Sequence, residues 1–350
     1  MQQSDLKKAV GSEQDAHWSV GEEQEKYTII LGQAIERYLG QLRDIERRIS
    51  DGEQDEGKVL AEVAAANDEV LMVCARFEQE VKDESVVKTT RSYFRNRTHP
   101  LLSKSYGINR LRTWPQGYQG DYKTLEINYQ GSPMSDGIGY YLDKYLMTWP
   151  LAHALRGRIV HLVELLRNEL AGRRDLKVLD IACGSCREIL DLVPDIQRSA
   201  AAFTCIDMDE DALAFSADRL SLADLAPGQV SMIKYNALRM FDLDIARAEF
   251  GAQDIIYSVG YFDYLPDDFL VKMLKTLHAL LNPGGKLIAA FKDAGRYRSQ
   301  EYHWIVDWDG FLQRTTADFE RLLAEAGIPR SAVAESRDRT GIIIFYTITK

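Results

Sequence analysis

The chain has 350 residues, of which 45% are hydrophobic, and it carries a formal net charge of −10. Its length favours two domains, and its acidic balance argues against binding to a nucleic-acid backbone, which requires clustered cations. No apolar run approaches the ~18 residues that span a bilayer, and the first residues lack the apolar core of a signal peptide. We therefore expect a cytoplasmic protein with neither nucleic-acid nor membrane partners.

The first part of the chain is predicted to be helical. Residues 1–25 are polar and indicate a flexible tail. Apolar residues then recur at three- and four-residue steps from Leu31 to Ile49 and from Leu60 to Val81, as in amphipathic helices. The polar residues 50–57 separate the two helices, which predicts an antiparallel hairpin. A helical subdomain is favoured over a coiled-coil dimer arm, and the chain is expected to be a monomer or homodimer.

A loop rich in aromatic side chains is expected next. Residues 113–122 contain too much Gly, Pro and Tyr for regular structure, and tyrosines stay frequent up to Tyr145. Such rings can hold a cationic ligand, at roughly 0.5–2 kcal/mol per contact, or they can simply pack the segment against a core. Both interpretations are retained.

Residues 147–170 are predicted to form one long helix that leads into the first strand. Arg156 and Arg158 lie near its start. They are candidates to clamp a carboxylate, since a guanidinium binds that group with two parallel hydrogen bonds. The alternative is an exposed, solvated pair.

The central stretch is residues 177–190, which predict a buried strand, a turn of small residues and a helix. Asp180 stands at the end of the strand, and Gly184 in the turn allows close approach to the backbone. The next strand, residues 203–207, ends in a second acid, Asp207. A strand, a glycine turn, a helix and an acid at the next strand end together form the pattern by which α/β sheets hold an adenosine ribose.

The cysteines raise the question of a metal or redox site. The four cysteines do not resemble a secreted disulfide framework, but Cys183 and Cys186 form a C-x-x-C pair. A redox or zinc pair is one interpretation. Because no second cysteine or histidine pair completes a metal site, we favour a turn of small residues and expect no metal.

The order Asp180-x-x-x-Gly184, followed by Asp207, resembles the class I S-adenosylmethionine-dependent methyltransferases. The motif of that family is acid-x-Gly-x-Gly-x-Gly, and Ala182 and Cys186 stand at its first and third glycines. The resemblance covers roughly residues 176–350. It implies a Rossmann-like α/β sheet of seven strands with the last antiparallel, over residues 171–350, with S-adenosylmethionine as cofactor. Residues 26–170 would then form a helical lid or substrate domain.

The resemblance also assigns site residues. In the family the acid at the end of the second strand holds the ribose. An Asp or Asn at the end of the third strand, which is predicted here over residues 230–237, meets the adenine. The candidate cofactor-binding residues are Asp121, Arg156, Asp180, Ala182, Cys183, Gly184, Ser185, Asp207, Met208, Asn236, Ala237 and Ser258. The candidate catalytic residues are Tyr118, Tyr261, Asp263 and His303.

A narrower resemblance suggests possible reactions. Residues 117–121, Asp143, Tyr145 and the Arg156–Arg158 segment resemble methyltransferases of 3-hydroxy-fatty-acid methyl ester biosynthesis and, more loosely, azetidine-2-carboxylate synthases. The leading expectation is methyl transfer to a small molecule such as a carboxylate. The second is cyclisation of S-adenosylmethionine by attack of its own amine, which releases methylthioadenosine. The third is a non-catalytic protein that binds the cofactor.

Overall fold

The computed structural model describes residues 22–350 in two compact units. Residues 1–21 of the predicted tail lie outside the described residues. The first helix begins at Glu22, within the segment that was predicted to be tail. The described part of the first unit comprises residues 22–120, Gln130–Trp149 and Arg298–Asp309. The second comprises Asp121–Tyr129, Pro150–Tyr297 and Gly310–Lys350.

Helices precede the first strand. They are α1 (Glu22–Ser50), α2 (Glu56–Glu80), α3 (Glu84–Leu102), α4 (Tyr106–Thr113), α5 (Tyr122–Gln130), α6 (Gly137–Thr148) and α7 (Pro150–Leu170). No helix among residues 22–350 is both long enough and apolar enough to cross a membrane.

The predicted helical hairpin is present in the first unit. Arg37 of α1 pairs with Glu69 of α2 at 2.8 Å, whereas Arg48, further along α1, pairs with the earlier residue Glu62. The partner numbers fall as the chain advances, so the helices run antiparallel. The side chain of Asp55 accepts a hydrogen bond from the Lys58 amide and caps the start of α2.

The prediction of one helix over residues 147–170 is wrong. The chain is extended at Trp149, with φ −60° and ψ 140°, and a new helix begins at Pro150. Proline has no N–H to donate inside a helix, but it fits the first helical position well. It therefore ends α6 and starts α7.

The second unit is built on a seven-stranded sheet in the order β3-β2-β1-β4-β5-β7-β6. Its strands are β1 (Lys177–Ile181), β2 (Ala202–Asp207), β3 (Val230–Lys234), β4 (Gln253–Val259), β5 (Leu281–Lys292), β6 (Val333–Arg337) and β7 (Ile343–Thr349). The helices that follow α7 are α8 (Arg187–Ser199), α9 (Glu210–Leu220), α10 (Leu243–Phe250), α11 (Asp267–Leu280) and α12 (Thr316–Glu325). Strand β7 is antiparallel to both of its neighbours. The prediction of a Rossmann-like sheet with an antiparallel last strand is confirmed.

The strand order fixes where a ligand can bind. Strand β1 pairs with β2 on one side and with β4 on the other, so the chain changes direction across the sheet at β1. The helices that follow these strands leave a crevice at the carboxyl ends of β1 and β4. The apolar residues Val178, Leu179 and Ile181 of β1 are fully buried, which anchors the floor of this crevice in the core.

The third strand is shorter than the predicted residues 230–237. It ends at Lys234, and Asn236 then caps a short 3-10 helix, Ala237–Phe241, by accepting from the Leu238 amide at 3.0 Å. A short Asn side chain competes with the sheet for backbone donors, and this favours a turn at that point.

Candidate cofactor-binding site

A cleft with about 420 Å³ of empty space lies at the carboxyl ends of β1 and β4. Its lining carries both signs of charge, from Arg158 and Arg187 and from the acids Asp180 and Glu188. Tyr129 and Tyr257 also line it. All of these residues belong to the second unit.

The turn after β1 adopts a left-handed backbone at alternate residues. Ala182, Gly184 and Cys186 have φ values of 56°, 54° and 46°. These are the positions at which the motif has glycines, and a left-handed backbone favours glycine at each of them. The left-handed region costs about 1–2 kcal/mol for a residue with a Cβ. Such strain is commonly retained where a ligand approaches the backbone.

The strain can be measured with Ala182→Gly. We expect this variant to gain about 0.5–1 kcal/mol of unfolding free energy, because glycine adopts φ 56° without the Cβ clash. The matched control is Ala217→Gly on the exposed part of helix α9, which should lose about 1 kcal/mol. Urea unfolding of both variants provides the comparison. A loss at Ala182 as large as that at Ala217 would contradict a strained turn.

Asp207 fixes the turn from the neighbouring strand. Its Oδ2 accepts from the Gly184 amide at 2.8 Å and its Oδ1 from the Asp209 amide at 2.9 Å. Burial raises the pKa of this carboxyl. A carboxylate has about four lone-pair sites, so each oxygen can still accept one further hydrogen bond. Asp207 therefore has the capacity to bind two hydroxyl groups.

Two buried acids form the anionic side of the cleft. The Tyr257 hydroxyl donates to Glu188 Oε1 at 2.9 Å, whereas Asp180 Oδ2 is buried with no hydrogen-bond partner. Burial, followed by the charge of Glu188, raises the pKa of Asp180 well above its usual range. Burial also raises the pKa of Glu188 to about 7. Buried carboxylates are costly unless a cation or donor pairs with them, so this corner is suited to a cationic group.

Arg158 forms the cationic side. It is 4% exposed, its Nη2 donates to the Tyr129 hydroxyl at 2.9 Å, and its Nε has no partner. Among residues 22–350, no carboxylate lies within ion-pair distance of it. The guanidinium lies against Gly260, where an added Cβ would come within 2.9 Å of Nη1. A buried guanidinium without a counterion is suited to an anion such as a carboxylate.

Helix α5 holds the other end of the turn. Glu126 Oε1 accepts from the Ser185 hydroxyl at 2.7 Å and pairs with Arg219 at 3.0 Å. Glu126 Oε2 lies 3.7 Å from Arg187. A single buried carboxylate therefore links helix α5 to the turn, to the start of α8 and to α9.

The remaining residues assigned to the adenosine lie around the strand ends. Met208 is 54% exposed and Asn236 is also exposed, whereas Ala237 is buried. Ser258 is buried at the end of β4, and its hydroxyl donates to the Ile181 carbonyl at 2.9 Å. Cys183 lines the cleft beside the turn.

Two predicted cofactor residues have other partners. Asp121 is buried and caps helix α5, accepting from the Lys123 and Thr124 amides at 2.9 and 3.1 Å. Arg156 donates to Asn128 Oδ1 at 2.8 Å and does not line the cleft. Of the two arginines considered from the sequence, Arg158 is the one in the cleft.

The candidate catalytic residues fall in both units. Asp263 is buried in an ion pair with Lys292, and burial raises the pKa of Tyr261 to about 12. His303 belongs to the helical unit, where burial lowers its pKa to about 4, and Tyr118, 41% exposed, belongs to that unit too. A neutral histidine, a protonated tyrosine and a paired aspartate are therefore the resting states at pH 7.

Three residues line the cleft but were not among the predicted site residues: Glu188, Tyr129 and Tyr257. A signal was present for Glu188, because it precedes Ile189 and lies one helical turn before Leu192, on the apolar face of α8. An acid on a buried face requires a partner or a ligand. Tyr129 belongs to the tyrosine-rich segment noted in the sequence, whereas Tyr257 carried no local signal.

Comparison with known proteins agrees with this geometry. Residues 179–287 match the family described as a methyltransferase domain. No curated protein matches the chain. A solved structure of a possible exported protein from Bordetella parapertussis is 18% identical with a TM-score of 0.56, over 91% of this chain and 96% of that one.

Two further solved structures are more distant. The magnesium protoporphyrin IX methyltransferase of Synechocystis PCC 6803, with bound SAH, is 12% identical with a TM-score of 0.47, over 69% of this chain and 97% of that one. A cyclopropane synthase from Mycobacterium tuberculosis is 13% identical with a TM-score of 0.40, over 54% of this chain and 82% of that one. Residues 179–287 match a methyltransferase domain and form part of a seven-stranded sheet of the class I architecture, which indicates an enzyme.

Proposed function

We propose that this enzyme binds S-adenosylmethionine in the cleft and transfers its methyl group to a small molecule. The observation that carries the proposal is that the lining of one cleft holds Arg158, which has no carboxylate partner, together with the acids Asp180 and Glu188. This arrangement is complementary to an α-amino acid. The methionyl carboxylate would bind Arg158, and the ammonium group would bind the acids. The ribose hydroxyls would bind Asp207.

Methyl transfer requires little general acid–base catalysis by the protein. Methyl transfer is an in-line displacement at a carbon that the sulfonium already activates, so the protein mainly aligns the reactants and excludes water. In the sheet unit, the candidate base Asp263 is engaged by Lys292, and Tyr261 is protonated at neutral pH. This supports an acceptor that is already nucleophilic, such as a carboxylate.

The direct test of cofactor binding is Asp207→Asn, measured by calorimetry with S-adenosylmethionine. Loss of the charge from two hydrogen bonds, each worth about 1.5–3 kcal/mol, should weaken binding at least 100-fold. The control is Asp218→Asn on the exposed part of helix α9, which should bind like the wild type. Unchanged affinity in Asp207→Asn would overturn the proposed position of the ribose.

A second candidate function is cyclisation of S-adenosylmethionine. The observation that favours it is Glu188, whose pKa is raised to about 7 by burial, beside the proposed place of the ammonium group. Glu188 could take a proton from the ammonium nitrogen, which then forms a bond to the carbon beside sulfur. The carbon–sulfur bond breaks, and methylthioadenosine leaves.

Mass spectrometry separates the two functions. The protein is incubated with S-adenosylmethionine alone and then with a panel of small carboxylates. Methylthioadenosine formed without an acceptor would establish cyclisation. S-adenosylhomocysteine formed only with an acceptor would establish methyl transfer.

Cofactor affinity should depend on pH because of Glu188. At a pH below about 7 the free protein holds a proton on this carboxyl, and binding of the ammonium group must release it. The apparent affinity for S-adenosylmethionine should therefore rise with pH below about 7, by up to about tenfold per unit. Calorimetry at several pH values should give a flatter profile for Glu188→Gln. Glu164→Gln, at an exposed position on α7, should keep the wild-type slope.

A further inference from the structure

Two thiols and a carboxylate converge at one end of the cleft. One ligand atom each from Asp180, Cys183 and Cys186 lies within 4.8 Å of the others. The fold produces this convergence because Asp180 ends strand β1, and the turn that follows closes with a hydrogen bond of 3.1 Å from the Cys186 amide to the Cys183 carbonyl. The left-handed φ of 46° at Cys186 belongs to this same turn.

The surroundings of these atoms are rich in sulfur. Cys205 of β2 is the register partner of Asp180, and Met232 of β3 is the register partner of Cys205. The Cys186 and Met232 sulfurs are 4.0 Å apart. Polarizable sulfur ligands select soft or borderline cations rather than Mg²⁺ or Ca²⁺.

A second observation, a buried carboxylate oxygen without a hydrogen-bond partner, also points to a ligand. Asp180 is 3% exposed, and its Oδ2 has no hydrogen-bond partner. Both Asp180 and Cys183 line the cleft, so a small ion can reach them. In a tetrahedral zinc site with bonds of about 2.0–2.3 Å, neighbouring ligand atoms lie roughly 3.5–3.8 Å apart. A closure of about 1 Å therefore brings the three groups to bonding distance.

We propose that Asp180, Cys183 and Cys186 bind a thiophilic divalent cation of the Zn²⁺ class, with its fourth position open to the cleft. Each cysteine binds the metal as a thiolate, and any proton held by a ligand in the free protein is released to solvent. The metal also occupies Asp180, which under the proposed function accepts the ammonium group of S-adenosylmethionine. Metal and cofactor then compete; this consequence rests on the proposed function, whereas metal binding itself does not.

The test is a titration of the full-length protein with Cd²⁺, followed by the ultraviolet charge-transfer band of thiolate bound to metal. The wild type should show a band that saturates at one ion per chain. Cys183→Ser and Cys186→Ser should each lose at least half of it, and Asp180→Asn should weaken the affinity at least tenfold. Cys74→Ser, buried in the helical unit, should keep the full band. No saturable band in the wild type, or a band that persists in both cysteine variants, would overturn the proposal.

A second measurement needs no variant, and so it is independent of whether the cysteine variants fold. The wild type is treated with iodoacetamide with and without Zn²⁺, and the labelled cysteines are identified by peptide mapping. Zn²⁺ should protect Cys183 from alkylation. Equal labelling of Cys183 in both samples would contradict the site.

Adding S-adenosylmethionine to the Cd²⁺ titration distinguishes the two proposals. A reduced apparent affinity for Cd²⁺ supports both. Metal binding with no competition leaves the metal site standing and contradicts the proposed position of the ammonium group. Cofactor binding without any metal binding leaves the proposed function standing and removes the metal site.

Discussion

Replacing Arg158 by methionine is expected to weaken the binding of S-adenosylmethionine at least 100-fold. Arg158 is the buried cation of the cleft, with a Tyr129 hydroxyl beside it and no carboxylate partner among residues 22–350. A carboxylate bound there gains two charge-assisted hydrogen bonds, each worth about 1.5–3 kcal/mol. Methionine keeps the apolar volume and removes both. Calorimetry measures the loss, and thermal unfolding checks that the fold is retained.

Arg156 provides a matched comparison two residues away. It is held by Asn128 and His153 and does not line the cleft, so Arg156→Met should change cofactor affinity by less than about threefold. Arg158→Lys should give an intermediate loss, because an ammonium keeps the charge but not the fork of donors. Equal effects of the two methionine variants would refute the assignment of the carboxylate to Arg158.

Replacing Lys292 by methionine is expected to destabilise the sheet unit by about 3–5 kcal/mol. Lys292 and Asp263 form an ion pair in which both side chains are almost fully buried, and the Lys292 amide also donates to Asp263 Oδ1 at 3.2 Å. Burial lowers the pKa of Lys292, which indicates the cost of the desolvated charge. Removing the cation alone leaves the aspartate charge buried and unpaired. Urea unfolding measures the change in unfolding free energy.

The double variant Asp263→Asn with Lys292→Met should recover most of that loss, since no unpaired charge then remains buried. A surface pair gives the scale for comparison. Lys234 and Glu210 are 3.0 Å apart and half or more exposed, so Lys234→Met should cost less than about 1 kcal/mol. A double variant as unstable as Lys292→Met would show that the hydrogen bonds, rather than the charge, stabilise this region.

The parts of the site that follow local sequence rules were predictable. A short apolar strand ending in Asp180, a turn of small residues and a helix form one continuous stretch, and Asp207 ends the next strand. Their geometry depends on neighbours in sequence and on parallel strand pairing, which hydrophobic patterns indicate well. The sheet could therefore be anticipated, whereas the left-handed φ values at Ala182 and Cys186 were not predicted.

The parts that depend on distant packing could not be predicted. Arg156 and Arg158 look alike in sequence, and only the rotation of α7 brings the second to the cleft. Asp263 was predicted to be a candidate base because the sequence does not show its partner, Lys292, which lies on the next strand. The break at Pro150 was missed because apolar periodicity continues across it, although the missing N–H of proline is a local signal.

The chain enters the sheet unit at Asp121–Tyr129, returns to the helical unit and then enters the sheet unit again, which affects how the protein can be shortened. This short segment belongs to the sheet unit, yet residues of the helical unit precede and follow it in sequence. A shortened protein that begins at Pro150 would keep every strand but lose Tyr129 and Glu126, leaving Arg158 and Arg219 without those partners. The sheet unit is thus discontinuous in sequence, and cutting the gene at one point cannot isolate it.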